Sequence, residues 1–175
     1  KKEIPTFLHY PDLYERLIVL NGWSKTYAMT GWRLGWSVWP KKLIEHVFKF
    51  CVNSHSCVNT PAQYGAIAAL DGPEDHLVDM MREFDIRRKL IFDGLKSLKG
   101  LDCNLPEGSF FIFPNVKKTG MTGEEFTEKC LKEAGVAVIP GTAFGKFAIY
   151  NVRMNFATSR ENISKAIKKI DKILK

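Results

Sequence analysis

The most informative segment of the sequence is Asn21-Gly-Trp-Ser-Lys-Thr-Tyr-Ala-Met-Thr-Gly-Trp-Arg-Leu-Gly-Trp36. It follows the apolar run 17–20, which predicts a short strand buried on both faces, as in parallel sheets. A second apolar run, 34–39, ends at Pro40 and predicts another strand. The segment therefore connects two strands of a predicted α/β sheet.

Lys25 and Arg33 are the residues of this connection that could carry chemistry. The apolar neighbours of Lys25 are Trp23, Tyr27, Met29 and Trp32. They could desolvate its ammonium and make it a nucleophile toward a carbonyl. Arg33 lies between two glycines, where an anion can approach a guanidinium and backbone amides. This pair suits an aldehyde that carries a phosphate, such as pyridoxal phosphate, although spacing alone favours solvated surface residues.

The rest of the chain alternates helices and short strands. Helices are predicted at 41–51, 61–70 and 73–98. Short strands are predicted at 101–105, 110–113, 136–139 and 150–156. Two more helices are predicted to begin with the capping-box spacings Thr122-x-x-Glu125 and Thr158-x-x-Glu161. We interpret 1–72 as part of a large-domain sheet, 73–100 as a bridging helix and 101–175 as a small α+β domain.

Several segments together resemble one enzyme family. Ser24-Lys-Thr-Tyr27 with Met29-Thr-Gly-Trp-Arg-Leu-Gly35 resembles the lysine motif of the class I aminotransferases, which belong to the fold type I enzymes that use pyridoxal phosphate. The family's later blocks resemble Pro106-Glu-Gly-Ser-Phe-Phe-Ile-Phe-Pro114, Val136-Ala-Val-Ile-Pro-Gly-Thr-Ala-Phe-Gly145 and Val152-Arg-Met-Asn-Phe-Ala157, in the same order. The resemblance implies part of the large-domain sheet of a fold type I enzyme, followed by a small α+β C-terminal domain.

The resemblance also implies roles for individual residues. Lys25 would bind the cofactor covalently and then move a proton between the substrate α-carbon and the cofactor. Arg33 would bind the cofactor phosphate, Ser24 would assist at the cofactor site, and Arg153 would bind the substrate α-carboxylate through a two-pronged contact. Many relatives have a phosphate-binding hydroxyl three positions before the lysine, where this chain has Gly22. That departure puts one phosphate contact in doubt.

The strand pattern around Arg153 agrees with its implied role. Apolar and polar residues alternate along 151–156, which predicts that Arg153 lies on the polar face of its strand. The alternative is a solvated arginine on an edge strand.

The family implies transfer of an amino group between an amino acid and a 2-oxo acid. A carbon-sulfur lyase or a synthase of the same fold would show a similar lysine and similar arginines. A basic non-catalytic binding module is the alternative of another class, because the formal net charge is +7. Much of that excess lies at 165–175, where apolar residues at helical spacing predict that the lysines form a solvated helix face. We therefore expect neither nucleic acid nor membrane as a partner.

Three further expectations concern the whole protein. The sequence begins with Lys1, which we interpret as the start of a C-terminal fragment that is inactive alone. Full-length enzymes of this family work as homodimers with sites at the interface. The four cysteines are scattered without a C-x-x-C pair, which predicts reduced thiols in a cytoplasmic protein and no metal site.

Overall fold

The computed structural model describes residues 4–175, and the chain divides into two compact units. The first unit ends at Leu77 and the second runs from Val78 to Lys175. The predicted division into 1–72, 73–100 and 101–175 differs from this one and stays a prediction. Both units contain helices and strands, so the predicted α/β class is confirmed.

The first unit has a two-stranded antiparallel sheet of β1 (Val19–Gly22) and β2 (Gly35–Val38). The prediction of a buried strand of the parallel type at 17–20 was wrong. An apolar run indicates what a strand can bury, but it does not specify the neighbouring strand or its direction. Among the described residues β1 has β2 as its one partner, and the Leu20 side chain is 73% exposed.

Three helices complete the first unit, namely α1 (Trp23–Thr26), α2 (Ile44–His55) and α3 (Thr60–Asp71). The cap of α3 is Asn59, whose side chain accepts a hydrogen bond from the Ala62 amide at 3.0 Å. The small core of this unit consists of Met29, Leu34, Ala62 and Ala66.

The second unit is built on a three-stranded antiparallel sheet with the order β3-β5-β4. Its strands are β3 (Phe111–Ile112), β4 (Ile139–Pro140) and β5 (Val152–Asn155). Its helices are α4 (Asp75–Lys96), which begins just before the unit boundary, α5 (Gly123–Lys129), which continues into a π-helical turn Cys130–Ala134, and α6 (Arg160–Ile173). The strand predicted at 101–105 was wrong, since the structure has there an isolated bridge between Asp102 and Asn115.

The core of the second unit is much larger than that of the first. The side chains of Phe126, Phe156 and Leu95 are essentially inaccessible to solvent. The buried core residues of this unit are Ile91, Leu95, Leu98, Leu101, Cys103, Ile112, Val116, Phe126, Cys130, Val138, Val152, Met154, Phe156, Ile163 and Ile170. This packing fixes the sheet against α4, α5 and α6, so β5 has a firm support.

Two helix starts test the predicted capping boxes. The box at α5 is confirmed, because the Glu125 amide donates to Thr122 Oγ1 at 3.2 Å and the Thr122 amide donates to Glu125 Oε2 at 2.7 Å. At α6 the cap is Ser159, which accepts from the Asn162 amide at 3.2 Å, one residue later than predicted. Ile163 and Ile170 of α6 are buried. The lysines at 165, 168 and 172 are exposed, as predicted for a solvated helix face, whereas Lys169 is half-buried.

Within 4–175 no helix combines the length and the apolar character that a membrane span requires. The same residues contain no cluster of three metal-ligating side chains. All four cysteines are free thiols.

Candidate active site

Lys25 lies in the short helix α1, directly after β1. An α-helical bond joins the Tyr27 amide to the Trp23 carbonyl at 3.1 Å, and the tighter bond from the Ala28 amide to the Lys25 carbonyl at 3.3 Å follows where the helix ends. The Lys25 side chain is exposed, so the predicted desolvation of its ammonium was wrong for this chain. The physical reason is that its aromatic neighbours Trp23 and Tyr27 pack against the small core of the first unit.

Arg33 ends the same connection in a left-handed backbone conformation, with φ 56° and ψ 45°. Its Nη1 donates to the Thr30 carbonyl at 3.0 Å, which leaves further N–H groups of the exposed guanidinium for a ligand. Ala28 also has a positive φ of 53°. A left-handed residue other than glycine costs about 1 to 2 kcal/mol, and such strain is concentrated at functional sites.

Gly22 lies where β1 and β2 approach each other closely. A Cβ added to Gly22 would lie 2.8 Å from the Leu34 carbonyl oxygen, because β1 and β2 approach closely here. A hydroxyl-bearing side chain at Gly22 would therefore need the strand pair to move. Arg33 is the exposed cationic side chain at the other end of this connection.

Two features of the connection fit a phosphate-bearing aldehyde. The Trp23 Nε1 atom is buried, and within the described part of the chain it has no hydrogen-bond partner. A Cβ added to Gly31 would meet no atom within 4 Å, so the connection is open at this residue. Ser24 is half-buried on the same connection. An amine, a guanidinium and an unpaired indole N–H form a donor set that suits pyridoxal phosphate.

Arg153 lies at the centre of the sheet of the second unit, on β5 opposite Ile139 of β4. Val152 and Met154 are buried and Arg153 is half-buried, so the predicted alternation is confirmed. The alternative, a solvated arginine on an edge strand, does not hold, because β5 is the middle strand of the sheet. The Arg153 Cζ atom lies 4.2 Å from the centroid of the Phe111 ring and 4.4 Å from that of Phe144.

The other arginines of the second unit are held differently, since each of them is paired with an acid. The pairs are Arg82 with Asp79 at 3.0 Å, Arg87 with Glu83 at 2.7 Å, Arg88 with Asp85 at 2.6 Å and Arg160 with Glu83. Within residues 4–175 the Arg153 side chain makes no hydrogen bond or ion pair. Arg153 is therefore the arginine of this unit whose donors suit an external carboxylate.

Phe144 is the residue that the sequence did not reveal as part of this arrangement. It ends a 3-10 turn, Gly141–Phe144, that follows β4 directly. The Gly141 amide donates to the Asn151 carbonyl at 2.7 Å, which fixes the turn beside the start of β5. The sequence alone does not show that the turn with Phe144 folds back beside β5, so it gives this apolar residue no role. For Phe111 the sequence is compatible both with a place at the site and with a place in the core.

The site residues predicted from the sequence belong to both units. Ser24, Lys25 and Arg33 share one connection of the first unit. Arg153 belongs to the second unit.

Comparison with known proteins identifies the family of the chain. The model of the family described as aminotransferase class I and II matches residues 3–170. The chain belongs to this family.

Several named aminotransferases are similar to this chain in sequence and in structure. The chain is 43% identical over 165 residues to an aspartate aminotransferase of Pyrococcus abyssi, an alignment that covers 93% of this chain and 42% of the relative. It is 40% identical to aromatic-amino-acid aminotransferase 2 of Thermococcus litoralis, with 93% and 42% covered. The crystal structure of an aromatic aminotransferase from Pyrococcus horikoshii superposes with a TM-score of 0.88 at 42% identity, covering 92% of this chain and 43% of that one. The chain therefore spans less than half of the length of these relatives.

Proposed function

We propose that this chain carries the cofactor-binding lysine and the substrate-binding arginine of an aminotransferase that uses pyridoxal phosphate. The enzyme would transfer an amino group between an amino acid and a 2-oxo acid. The observation that carries the proposal is an exposed amine, Lys25, and a guanidinium with unused donors, Arg33, on one strained connection. Family membership and the names of the relatives support it.

The first unit would hold the cofactor. Lys25 would hold it covalently, since an exposed primary amine can condense with an aldehyde and release water. Arg33 would bind the phosphate by charge-assisted hydrogen bonds, because among the described residues its guanidinium uses one N–H group, in the bond to the Thr30 carbonyl. Ser24 and the unpaired indole N–H of Trp23 are further donors on the same connection. Bound pyridoxal phosphate supplies a ring that accepts electron density from the substrate α-carbon.

Two residues of the chain would then act on the substrate. Arg153 would bind the α-carboxylate through its free N–H groups and so orient the amino acid. With the cofactor bound, the Lys25 amine would act as the acid–base group that removes the proton from the substrate α-carbon. The balance is one amino group lost by the amino acid and one gained by the 2-oxo acid.

The alternative functions have less support. A carbon-sulfur lyase or a synthase would use the same lysine and arginines, but the relatives reported above are named aminotransferases. A basic binding module would be supported by a cluster of basic residues that the fold itself does not account for. Lys165, Lys168 and Lys172 instead form the exposed face of α6, whose other face is buried. The homodimeric state and the cytoplasmic location stay predictions.

Cofactor labelling of the purified chain tests the role of Lys25. Pyridoxal phosphate would be added, the lysine–cofactor bond fixed by borohydride reduction, and the labelled peptide identified by mass spectrometry. We expect label at Lys25, and loss of that label in Lys25→Ala but not in Lys42→Ala, which removes another exposed lysine of the first unit. Label spread evenly over many lysines would contradict the special role of Lys25.

A chimera tests the reaction itself. Residues of this chain would replace the matching 165 residues of the Pyrococcus abyssi relative, which supplies the part of the fold that the alignment does not cover. We expect amino transfer that is lost in Lys25→Ala and weakened in Arg153→Lys. Release of sulfide or of an acyl-derived product instead would favour the lyase or the synthase.

A further inference from the structure

Arg153 is held by aromatic rings and not by an acid. Its Cζ atom lies 4.2 Å from the Phe111 centroid and 4.4 Å from the Phe144 centroid. The other cation–ring contacts found between described residues have distances of 5.2 to 5.6 Å. The contacts of Arg153 are therefore the closest of this kind in the described part of the chain.

We propose that Phe111 and Phe144 are positioning residues, which hold the guanidinium of Arg153 ready for the substrate carboxylate. This inference rests on the proposed function, since it takes Arg153 as the carboxylate-binding residue. A ring attracts the charge of a guanidinium but uses none of its five N–H donors. An acid in the same place would occupy donors that the substrate needs and would repel the substrate carboxylate.

The fold supplies both rings from elements that flank the strand of Arg153. Phe111 of β3 pairs with Asn155, two residues along β5 from Arg153, so the two side chains lie on the same face of the sheet. Phe144 comes from the turn after β4, on the other side of β5. The turn is fixed to β5 by the hydrogen bond from the Gly141 amide to the Asn151 carbonyl. Backbone hydrogen bonds therefore attach both ring-bearing segments to β5: β3 carries Phe111 and pairs with β5, and the turn with Phe144 is bonded to Asn151 just before β5.

The Phe144 ring also packs against another aromatic ring. The rings of Phe113 and Phe144 meet edge to face, with centroids 6.1 Å apart. Phe144 is nevertheless half exposed, at 50%, which is more than packing of a core residue would leave. The side chain is therefore placed beside Arg153 without being buried, as expected for a residue at the rim of a ligand site.

The NMR order parameter of the Arg153 Nε–H bond, measured in the 175-residue chain, tests directly whether the rings restrain the guanidinium. The Nε–H signal of Arg153 would be followed by NMR relaxation in the wild type and in Phe111→Leu and Phe144→Leu. Phe147→Leu is the matched control, because Phe147 is 91% exposed in the next loop and contacts Lys146 instead. We expect lower order in the first two variants, unchanged order in the control, and recovery in Phe111→Tyr, which keeps a ring. Signals of Met154 and Phe156 would report whether the core stays folded.

Titration with pyruvate, a simple 2-oxo acid, tests the purpose of the restraint. We expect the Kd, read from the Arg153 signal, to rise about threefold to fivefold for each leucine variant, as loss of one exposed cation–ring contact predicts. Equal order and equal Kd in all variants would overturn the inference while leaving the proposed function intact. If the wild type fails to respond to pyruvate although the leucine variants lose order, the carboxylate role of Arg153 is overturned and this inference with it, while the cofactor role of Lys25 depends on the labelling experiment.

Discussion

Arg160 donates hydrogen bonds to both carboxylate oxygens of Glu83, a residue 77 positions earlier in the chain. Arg87 donates a further hydrogen bond to Glu83 Oε1 at 2.7 Å. One acid therefore connects the long helix α4 with the start of α6 in the second unit. The hydrogen bonds from Arg160 and then Arg87 lower the pKa of Glu83 from 4.5 to about 2.

This network predicts how the second unit responds to acid. Because the folded pKa of Glu83 is below its ordinary value, its contribution to stability is present above pH 4.5 and is lost as the pH falls through about 2. We expect Glu83→Gln to lower the melting temperature at pH 6, and the difference from the wild type to shrink toward pH 2. Asp79→Asn, which removes one exposed pair on the same helix, should have a smaller effect. A difference between wild type and Glu83→Gln that persists at pH 2 would contradict the assignment.

Gly141 should tolerate no side chain, because the turn that carries Phe144 approaches the start of β5 too closely. An added Cβ would lie 2.7 Å from the Asn151 carbonyl oxygen and closer still to that of Ala148. We expect Gly141→Ala to destabilise the second unit by roughly 1 to 3 kcal/mol, through forced movement of backbone. Thermal unfolding measures this. The control is Gly108→Ala, whose Cβ would meet no atom within 4 Å and which should leave the melting temperature nearly unchanged.

The local features of this fold could be predicted from the sequence. The capping box of Thr122 and Glu125 and the polar face of Arg153 depend on residues within one turn or one strand. The contact of Phe144 with Arg153 could not be predicted, since it depends on a turn that returns to β5 through backbone hydrogen bonds. The same holds for the exposed Lys25, whose aromatic neighbours pack into the core instead of around the amine. Long-range packing decides such contacts, and hydrophobic patterns do not encode it.

The thiols should react at very different rates. Burial raises the pKa of the Cys103 thiol, and burial, with the nearby Glu133 carboxylate, raises that of Cys130 to about 12. Cys57 is exposed. Because the thiolate is the reactive form, we expect a thiol reagent at pH 8 to modify Cys57 first, with Cys103 and Cys130 protected until the unit unfolds. Peptide mapping after brief labelling measures this, and modification of Cys130 in the native chain as fast as of Cys57 would contradict the burial.

The two units should differ in their resistance to opening, because their cores differ so much. The core of the first unit contains two alanines among its four buried residues, whereas that of the second includes fully buried Phe126 and Phe156. In the first unit Phe48 is 68% exposed. Since exposed apolar area contributes no stability, amides of α2 and α3 should exchange with solvent faster than those of β5 and α6, by at least about tenfold. Hydrogen exchange with mass spectrometry resolves the helices separately. Equal protection in both units would show that the first is stabilised by something other than its own apolar packing, and α1 with Lys25 would then be as rigid as the strand of Arg153.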